Sequence, residues 1–514
     1  MPRHFILGIM NLKTGKVDSA KTGEHPGFGK KSSDAGLHSL SFRLTISFIT
    51  SLDKGEFKMK RENWAFLKRV ILLSLPVMIQ QLLTNMLNLC DTMMIGGIGE
   101  NAISAVAIVN KVFFVYQLIL FGLSNGIGIF ISQYMGARQE DQITDLYNFG
   151  LGLCCVMGIV VTGILIVFPQ SILGLFVQNP LVLADAEAYL GVLLWTLLPF
   201  ACTSMISVAC RVMGRPAIPM ISGVISCLVN IVFNALLIYG LFGFPRWGVI
   251  GAAVATMIAR FLEAAYLFYA SRQSLTALKL RLKNHLPAAM RWTVIRKALP
   301  LMGNELIWSL GLNMIFINYS FIAEQYIPAI TVVDNISNLV YVAFSGCSVA
   351  VGVIIGQALG SGRLEQAKQD AKKMIGFALT VYLAGGLILV AIHRWAPVWF
   401  SLSPANVSMA ASLILAKAFL AWTQGYANTV YYILRSGGDT KSVLIIDGLF
   451  TWFGPVLLSF LVARVFRVSL FPAYCIVEGA GLVKVCLATW FLKKGNWLKN
   501  LTESPAAAAE VDPA

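Results

Sequence analysis

The fold of this chain is decided by an uncharged, mostly apolar run at residues 119–136, ILFGLSNGIGIFISQYMG, and by a second run at residues 343–360, AFSGCSVAVGVIIGQALG. Each run approaches the roughly 20 residues that a helix needs to cross a bilayer. The two runs lie 224 residues apart, and their glycine and glutamine positions coincide at that offset. The matched pairs are Gly122 with Gly346, Gly128 with Gly352, Gln133 with Gln357, and Gly136 with Gly360. The chain therefore contains an internal repeat of membrane-spanning segments.

The repeat extends from the first predicted span to the end of the fourth without a net gap. Pro76 matches Pro300, and Arg211 matches Arg435. Shared apolar composition alone would scatter such matches over many offsets. Each repeat holds six predicted spans, an even number, so both halves enter the membrane from the same side and are related by an axis along the membrane normal. Two such lobes facing each other across a central cavity are typical of a secondary transporter.

The composition excludes most other classes of protein. Of the 514 residues, 57% are apolar and 13% are charged, which leaves too few polar residues to coat a soluble protein of this size. The apolar runs are too long for the alternating strands of a membrane β-barrel. Twelve runs are long enough to span a bilayer, with approximate limits 69–95, 102–132, 147–168, 187–211, 217–241, 250–271, 298–321, 328–357, 374–393, 408–434, 442–466 and 469–492. We therefore predict an all-α integral membrane protein with twelve transmembrane helices in two six-helix lobes.

The predicted spans divide the chain into five parts. These are a disordered cytoplasmic tail at 1–58, an N-lobe at 59–271, a cytoplasmic linker at 272–297, a C-lobe at 298–495 and a disordered tail at 496–514. Residues 1–58 are rich in Lys, Ser, Gly and Thr and contain no long apolar run. Either Met1 or Met59 could serve as the start of the chain.

The basic residues indicate the orientation. The formal net charge is +15, and about 25 Lys and Arg fall in the linkers on the side of the N-terminus. The opposite linkers hold Arg246, Arg394, Arg464 and Arg467. Because basic loops stay in the cytoplasm, we predict that both termini are cytoplasmic. Basic residues placed between apolar runs do not form the clustered face that binds nucleic acid, so no nucleic-acid partner is expected.

Two motif searches limit the chemistry. The nine Cys form no CxxC pair and no Cys/His cluster, so we predict no metal site. The chain also has no GxxxxGK[ST] motif, which excludes a pump with its own ATP-binding loop. We therefore expect no cofactor, and the energy for transport would come from a gradient of protons, of sodium ions or of the substrate itself.

Polar residues inside the spans mark candidate sites, because a charge in the bilayer core costs roughly 2.5–3.5 kcal/mol or more. The first span carries polar residues every three or four positions, which places them on one face. They are Gln81, Thr84, Asn88 and Asp91. In the fifth span Asn230 and Asn234 form an i, i+4 pair, and Thr256 lies in the sixth. Asp91 is a candidate ion-binding residue, whereas the amides and the hydroxyl are either site residues or hydrogen-bonding contacts between helices.

The second half of the chain carries a different set of charges. Asp91 has no acidic counterpart at the repeat offset. Instead, Glu305 lies early in the seventh span and Asp334 lies in the eighth. Glu478 in the twelfth span is followed by Lys484, and we expect these two to form a structural ion pair.

These elements resemble the multidrug and toxic compound extrusion (MATE) family. Its first helix pair is similar to the run from residue 74, SLPVMIQQLLTNMLNLCDTMMIGGIGENAISAVAIVNKVFF, and to the run from residue 121, FGLSNGIGIFISQYMGARQED. The matching elements of a bacterial branch resemble the run from residue 304, NELIWSLG, and the run from residue 351, VGVIIGQALGSGRLEQA. The resemblance covers residues 60–495, nearly all of the membrane part.

The resemblance implies that the chain exports organic cations in exchange for protons or sodium ions. It assigns ion coupling to the helix 1 carboxylate, the helix 5 polar pair and a helix 6 hydroxyl, which here are Asp91, Asn230, Asn234 and Thr256. Weaker polar candidates are Asn88, Glu305, Asp334 and Gln424. Gln424 stands where sodium-binding members have a helix 10 Asp, and this difference moves the coupling role toward Asp91. No cofactor is implied.

A substrate cavity between the lobes would hold an amphipathic cation on aromatic faces. The candidate lining residues are Gln81, Phe113, Phe114, Trp308 and Tyr319, although the aromatic ones could equally pack in the core or face lipid. The expected partners are small organic cations and the bilayer, with the chain working as a monomer. The resemblance places it in the inner membrane of a bacterium.

Two other functions remain to be weighed. Distant relatives of the family are flippases of lipid-linked oligosaccharides, and such a protein would favour several Arg or Lys in the cavity to meet a pyrophosphate. An intramembrane enzyme would need a Ser/His, paired Asp or metal constellation within the spans. The His residues of the second half, His285 and His393, fall in a loop and at a helix end, which disfavours an enzyme.

The predicted topology can be tested by labelling single cysteines with a membrane-impermeant reagent. A cysteine replacing Lys279 in the 272–297 linker should stay unlabelled in intact cells and react once the cells are opened. A cysteine replacing Arg246, in an opposite linker, should react in intact cells and serves as the control. Labelling of position 279 in intact cells would overturn the topology and the two-lobe arrangement derived from it.

Overall fold

The computed structural model of this chain describes residues 61–96, 98, 100–177, 179–281, 285–400 and 402–503. The predicted tail at 1–58 lies outside these ranges. The described part contains twelve helices long and apolar enough to cross a membrane, which confirms the predicted fold class. They are α1 Arg61–Gly96, α2 Glu100–Gly136, α3 Glu140–Val167, α4 Pro180–Val212, α5 Ala217–Tyr239, α6 Gly248–Ser274, α7 Ala288–Ile322, α8 Ile327–Gly360, α9 Leu364–Ile392, α10 Pro404–Ser436, α11 Thr440–Val465 and α12 Leu470–Lys494. A one-turn helix, Pro169–Leu173, follows α3.

The linker between the lobes is shorter than predicted. Helix α6 runs on to Ser274, and α7 begins at Ala288, ten residues before the predicted limit. The basic residues before the apolar run of α7 are good helix formers, so the helix continues into them. The remaining linker is packed on the N-lobe, since Leu275 and Leu278 are buried and Arg281 pairs with Asp141 at 2.8 Å.

The repeat appears as reciprocal packing between the lobes. A Cβ added to Gly122 of α2 would lie 2.6 Å from Cα of Met302 in α7. At the same offset, a Cβ added to Gly346 of α8 would lie 2.7 Å from Cγ of Met78 in α1. Small residues at such crossings let helices approach closely in a membrane, where helices gain no hydrophobic driving force from each other.

The helices α2 and α8 cross at their C-terminal ends. Gly136 lies against the backbone of Gln357, and Gly360 lies against the backbone of Gln133, so the two contacts exchange under the repeat. Ser132 Oγ also donates to the Gly352 carbonyl at 2.9 Å. A pseudo-two-fold axis therefore passes between these two helix ends, as the even number of spans in each repeat predicts.

The lobes meet on the side of the molecule that carries the ends of the described chain. Arg69, near the start of α1, donates to Oε1 of Gln357 at 2.9 Å across the two lobes. The segment after α12 lies on the same side. We call this the closed side.

The predicted C-terminal tail is wrong for residues 496–503. We call residues 495–503 the C-terminal strap, because they lie across the ends of α2, α8 and α10. The Leu501 amide donates to Oε1 of Gln133 at 2.7 Å, and Thr502 Oγ1 donates to the Gly360 carbonyl at 3.4 Å. Trp497 is 3% exposed, and Gly437 lies against its backbone. Residues 496–503 contain few apolar side chains, but these side chains pack over glycines at the ends of the helices. Residues 504–514 lie outside the described part.

The strap should contribute to the stability of the closed side. Trp497→Ala removes a buried aromatic side chain, a change that costs about 3 kcal/mol or more in well-packed sites. We expect a lower melting temperature for the purified protein in detergent. The neighbouring Asn496→Ala, at an exposed position, should leave the melting temperature at the wild-type value. Equal melting temperatures for both variants would mean that the strap does not pack in this way.

Candidate functional site

Four of the predicted site residues lie together in the N-lobe and form one hydrogen-bonded chain. Asn234 Nδ2 donates to Asp91 Oδ1 at 2.6 Å and to Asn230 Oδ1 at 2.8 Å. Asn230 Nδ2 in turn donates to Thr256 Oγ1 at 3.1 Å. The chain links α1, α5 and α6 through side chains alone. Both asparagines are buried, with 2% or less of their surface exposed.

The close approach of α5 and α6 makes this chain possible. Helix α6 begins with small residues, GVIGAAVATMIA, at positions 248–259. A Cβ added to Gly251 would lie 2.5 Å from the Leu237 carbonyl oxygen of α5, so the two backbones are in contact. Ala252 and Ala255 are also buried. Because small side chains allow this spacing, the short hydroxyl of Thr256 reaches Asn230.

The cluster opens into a cavity of about 320 Å³ within the N-lobe. Asp91, Asn230 and Thr256 line it, together with the predicted aromatic residues Phe113 and Phe114. Lining residues that the sequence reasoning did not include in the site are Asn110, Gln117, Tyr189 and Arg260. Part of this set could have been predicted from the sequence. Asn110, Phe113 and Gln117 recur every three or four residues on α2 and therefore share one face of that helix.

Asp91 forms no direct ion pair within the described part of the chain, although Arg260 of the same cavity acts on it electrostatically. Within the described residues, no Lys or Arg nitrogen lies within 4.0 Å of its carboxylate. Arg260, which lines the same cavity, forms an ion pair with Glu263 at 2.8 Å and stacks on Phe200 at 5.0 Å. Oδ1 of Asn234 is buried without a hydrogen-bond partner. A carboxylate and an unused amide oxygen together suit a proton or a small cation.

Two acids of the C-lobe, Glu305 and Asp447, have basic partners. Arg435 Nη1 lies 3.7 Å from Glu305 Oε1, and the Tyr431 hydroxyl donates to the same oxygen at 3.4 Å. Lys484 Nζ lies 2.8 Å from Asp447 Oδ1. The predicted pair between Lys484 and Glu478 is therefore wrong. Residues six positions apart point about 120° away from each other around a helix.

Asp447 lies in an irregular stretch of α11. Helix α11 contains π-helical turns at Leu444–Leu449, Trp452–Val456 and Leu461–Val465. Pro455 lies inside the second of these and has no backbone N–H for the helical ladder. Asp447 lies in the first, where it also accepts a hydrogen bond from Asn304 at 3.1 Å.

A third ion pair lies farther along the C-lobe. Lys417 Nζ of α10 donates to Asp334 Oδ1 of α8 at 3.0 Å, so this predicted acid is also paired. Tyr319 is 4% exposed, and its ring lies 5.6 Å from that of Tyr474. The ring of Tyr319 packs in the apolar core of the C-lobe, which favours the alternative of core packing over a place in a substrate cavity.

Other predicted residues lie apart from the N-lobe cluster. Trp308 is half-buried on α7, and Gln424 is exposed on the face of α10 that carries Tyr431. Gln81 is exposed and bonds only within its own helix, to Asn85 at 3.3 Å. Its neighbour Gln80 instead contacts the lobe interior, where it accepts a hydrogen bond from Arg211 at 3.3 Å. The side chain of Asn88 lies outside the described part of the chain.

The sequence matches the family model described as MatE twice, at residues 76–236 and 300–461. The matches start 224 residues apart, at the offset of the internal repeat, and together they cover more than half of the chain. The chain belongs to this family. A curated relative is the probable multidrug resistance protein NorM of Thermotoga maritima, 25% identical over 439 residues that span 84% of this chain and 93% of that protein.

Two further comparisons agree with this membership. The multidrug resistance protein PmpM of Pseudomonas aeruginosa is 25% identical over 393 residues, 76% of this chain and 82% of that protein. A solved structure, described as the outward-facing conformation of a multidrug resistance MATE family transporter, superposes with a TM-score of 0.77. It is 20% identical and covers 86% of this chain and all of that one, so the likeness concerns the fold. This MATE chain is a multi-pass membrane transporter and not an enzyme.

The contact between α5 and α6 can be tested without measuring transport. Gly251→Val places a branched side chain against the α5 backbone, so we expect the helices to separate and the melting temperature to fall. Gly191→Val on α4 is the matched control, because no atom lies within 4 Å of its added Cβ. The melting temperature of the control should stay close to wild type. If both variants melt alike, α5 and α6 are not in backbone contact.

Proposed function

We propose that this MATE chain is a secondary antiporter that exports amphipathic organic cations in exchange for protons or sodium ions. The observation that carries the proposal is the environment of Asp91. It faces a cavity of about 320 Å³, accepts a hydrogen bond from Asn234, and has no basic partner among the described residues. An acid in an apolar environment with no basic side chain in contact favours the uptake of a cation or proton, which is the event that an antiporter couples to transport.

The orientation follows from combining charge with packing. The closed side carries the ends of the described chain, and the excess of Lys and Arg in the linkers on that side favours the cytoplasm. The lobes would then be open toward the outside, the state in which an exporter releases its substrate and takes up its coupling ion. We propose that the protein works in this way as a monomer in the inner membrane of a bacterium.

Coupling at the cluster would proceed by competition for one negative charge. In the outward-open state, a proton or sodium ion from outside binds Asp91, with Asn230, Asn234 and Thr256 supplying oxygen atoms or hydrogen bonds. Neutralising the carboxylate removes the attraction that holds a cationic substrate in the lobe, so the substrate leaves. Alternating access then exposes the site to the other side, where the ion is released.

The cavity walls suit a flat, weakly hydrated cation. Phe113 and Phe114 line the same cavity as Asp91, and an aromatic face attracts a desolvated organic cation. The names of the relatives in Thermotoga maritima and Pseudomonas aeruginosa, both multidrug resistance proteins, support this substrate class. The lipid-oligosaccharide flippase is less favoured, because Arg260 of this cavity is already paired with Glu263.

The test is substrate efflux from vesicles in which a proton gradient and a sodium gradient are imposed separately. Asp91→Asn keeps the size and hydrogen bonding of the side chain but removes the charge, so we expect export driven by either gradient to be abolished at unchanged membrane abundance. Asp91→Glu should retain part of the activity. Glu305→Gln is the matched control acid, and because Arg435 already neutralises Glu305, its loss should reduce export less.

The result also identifies the coupling ion, since the gradient that drives export through the wild-type protein is the coupled one. Wild-type export by Asp91→Asn would contradict the proposal. In that event, Glu305 or Asp334 becomes the first candidate for the coupling residue.

A further inference from the structure

A small cavity of about 60 Å³ lies in the seam between the lobes, apart from the cluster around Asp91. Helices α2 and α4 of the N-lobe line it on one side, and α8 and α10 of the C-lobe line it on the other. Its most notable members are two arginines, Arg211 at the end of α4 and Arg435 at the end of α10. They are partners under the 224-residue repeat, so the pseudo-two-fold axis brings two positive charges to one place.

Both guanidinium groups keep unused hydrogen-bond donors. Nε of Arg211 and Nη2 of Arg435 are buried without a partner among the described residues. Arg435 as a whole is 3% exposed and is fixed by rings, with its guanidinium 5.7 Å from the centroids of both Phe121 and Tyr432. A buried cation with an unsatisfied N–H group lowers the stability of the fold unless an acceptor forms a hydrogen bond with that group.

The two arginines of the seam differ in their contacts with acids. Arg435 has one acid nearby, Glu305, whose carboxylate lies at 3.7 Å. Arg211 contacts only the neutral amide of Gln80, at 3.3 Å, and no carboxylate of the described residues lies within 4.0 Å of it. Arg211 therefore has no carboxylate in contact where the lobes meet, and the acid that acts on it electrostatically, Glu263, already forms an ion pair with Arg260. A guanidinium group without a contacting anion destabilises a protein when it is enclosed.

The other polar side chains that line the cavity are hydroxyls and one amide, and Ser132 and Asn125 already donate to backbone carbonyls of Gly352 and Phe121. Asn125 and Ser132 lie on the N-lobe side, and Ser348 and Tyr432 lie on the C-lobe side. No acidic side chain lines it. Two guanidinium groups with unused N–H donors beside a small space, on whose wall no acid lies, are the chemistry that binds a carboxylate or a phosphate group.

We propose that the seam cavity is a binding site for a phosphate-type oxyanion, held between Arg211 and Arg435, and that its occupancy keeps the closed side closed. The phosphate comes either from free inorganic phosphate or from the head group of an anionic lipid. The N-lobe supplies one arginine and the C-lobe supplies the other, so the site is complete only while the lobes touch. A ligand that binds one conformation in preference to the other shifts the equilibrium toward it.

This inference is independent of the proposed cation exchange. The oxyanion site has the opposite charge preference to the Asp91 cluster, and it is built by both lobes rather than within one. Separation of the lobes on this side would expose each arginine to water. Water would then hydrate both guanidinium groups in place of the anion. Release of the oxyanion would then accompany the opening of the closed side.

The test measures thermal unfolding of the full chain in lipid-free detergent, with sodium phosphate compared with sodium chloride at equal ionic strength. Because a ligand that binds only the folded closed state stabilises it, the melting temperature of the wild-type protein should rise with phosphate and then saturate. Arg211→Gln should weaken the apparent phosphate affinity at least about tenfold, since it removes a charged donor. Arg215→Gln, an exposed arginine four residues farther on, is the matched control and should respond like wild type.

Two further arms complete the design. Asp91→Asn should keep the phosphate response, so a failure of the cation-exchange proposal is distinguishable from a failure of this one. Reconstitution in phosphate-free buffer, in phosphatidylglycerol or in phosphatidylcholine, separates the two sources. Stabilisation by phosphatidylglycerol that is lost in Arg211→Gln identifies the lipid head group, and stabilisation by added phosphate in phosphatidylcholine identifies the free anion.

A conformational readout checks the second half of the proposal. Spin labels on cysteines replacing Gln139 and Arg363, which are exposed repeat partners on the closed side, report the distance between the lobes in a background without native cysteines. Phosphate should increase the population with the short distance, and Arg211→Gln should remove this effect. Arg211→Lys, which keeps the charge but not the forked donors, should show a reduced response and covers the case in which Arg211→Gln does not fold. An equal phosphate response of wild type and both Arg211 variants, or none in wild type, would overturn the proposal.

Discussion

The close crossing of α2 and α8 at their C-terminal ends is the contact on which the rest of this structure depends. Gly136 against Gln357 and Gly360 against Gln133 bring two backbones together with no side chain between them. In a bilayer, where hydrophobic burial does not drive helices together, such van der Waals contact holds lobes against each other. The seam cavity, the C-terminal strap and the closed side all follow from it. A residue larger than glycine at either position would separate the lobes at the axis.

The lobes share a backbone plan but differ in charge. In the C-lobe, Glu305, Asp334 and Asp447 each lie beside an Arg or Lys, so these acids are neutralised where they are buried. In the N-lobe, Asp91 is held by an amide that supplies hydrogen bonds without charge. A compensated pair resists exchange with solution ions, because removing either partner leaves a buried charge. A carboxylate without a contacting basic side chain gains free energy by binding a cation, which is why we place the proposed ion exchange in the N-lobe.

The two proposed sites differ in the part of the molecule that builds them. The Asp91 cluster belongs to α1, α5 and α6 within one lobe, so it can persist as the lobes move. The seam between Arg211 and Arg435 belongs to both lobes and exists only when they touch. The proposed cation site would move with one lobe, whereas the proposed anion site would form only while the closed side is closed. Their separation means that each can be altered by substitution without touching the other.

The amino-acid sequence by itself determined the twelve spans, the two-lobe repeat, the family and the pairing of Asn230 with Asn234, because length, composition and the period of a single helix are local properties. The sequence also singled out Asp91, since placing an acid in the bilayer core costs free energy and is rare without a function. Only the tertiary structure decided which residues on different helices meet. Lys484 pairs with Asp447 rather than with Glu478, and Gln80 rather than Gln81 contacts the lobe interior. The helical period gives the angle between residues of one helix, but the rotation of that helix against its neighbours is set by packing. The strap at residues 495–503 was missed for the same reason, because its few apolar residues are buried only by surfaces that the folded lobes create.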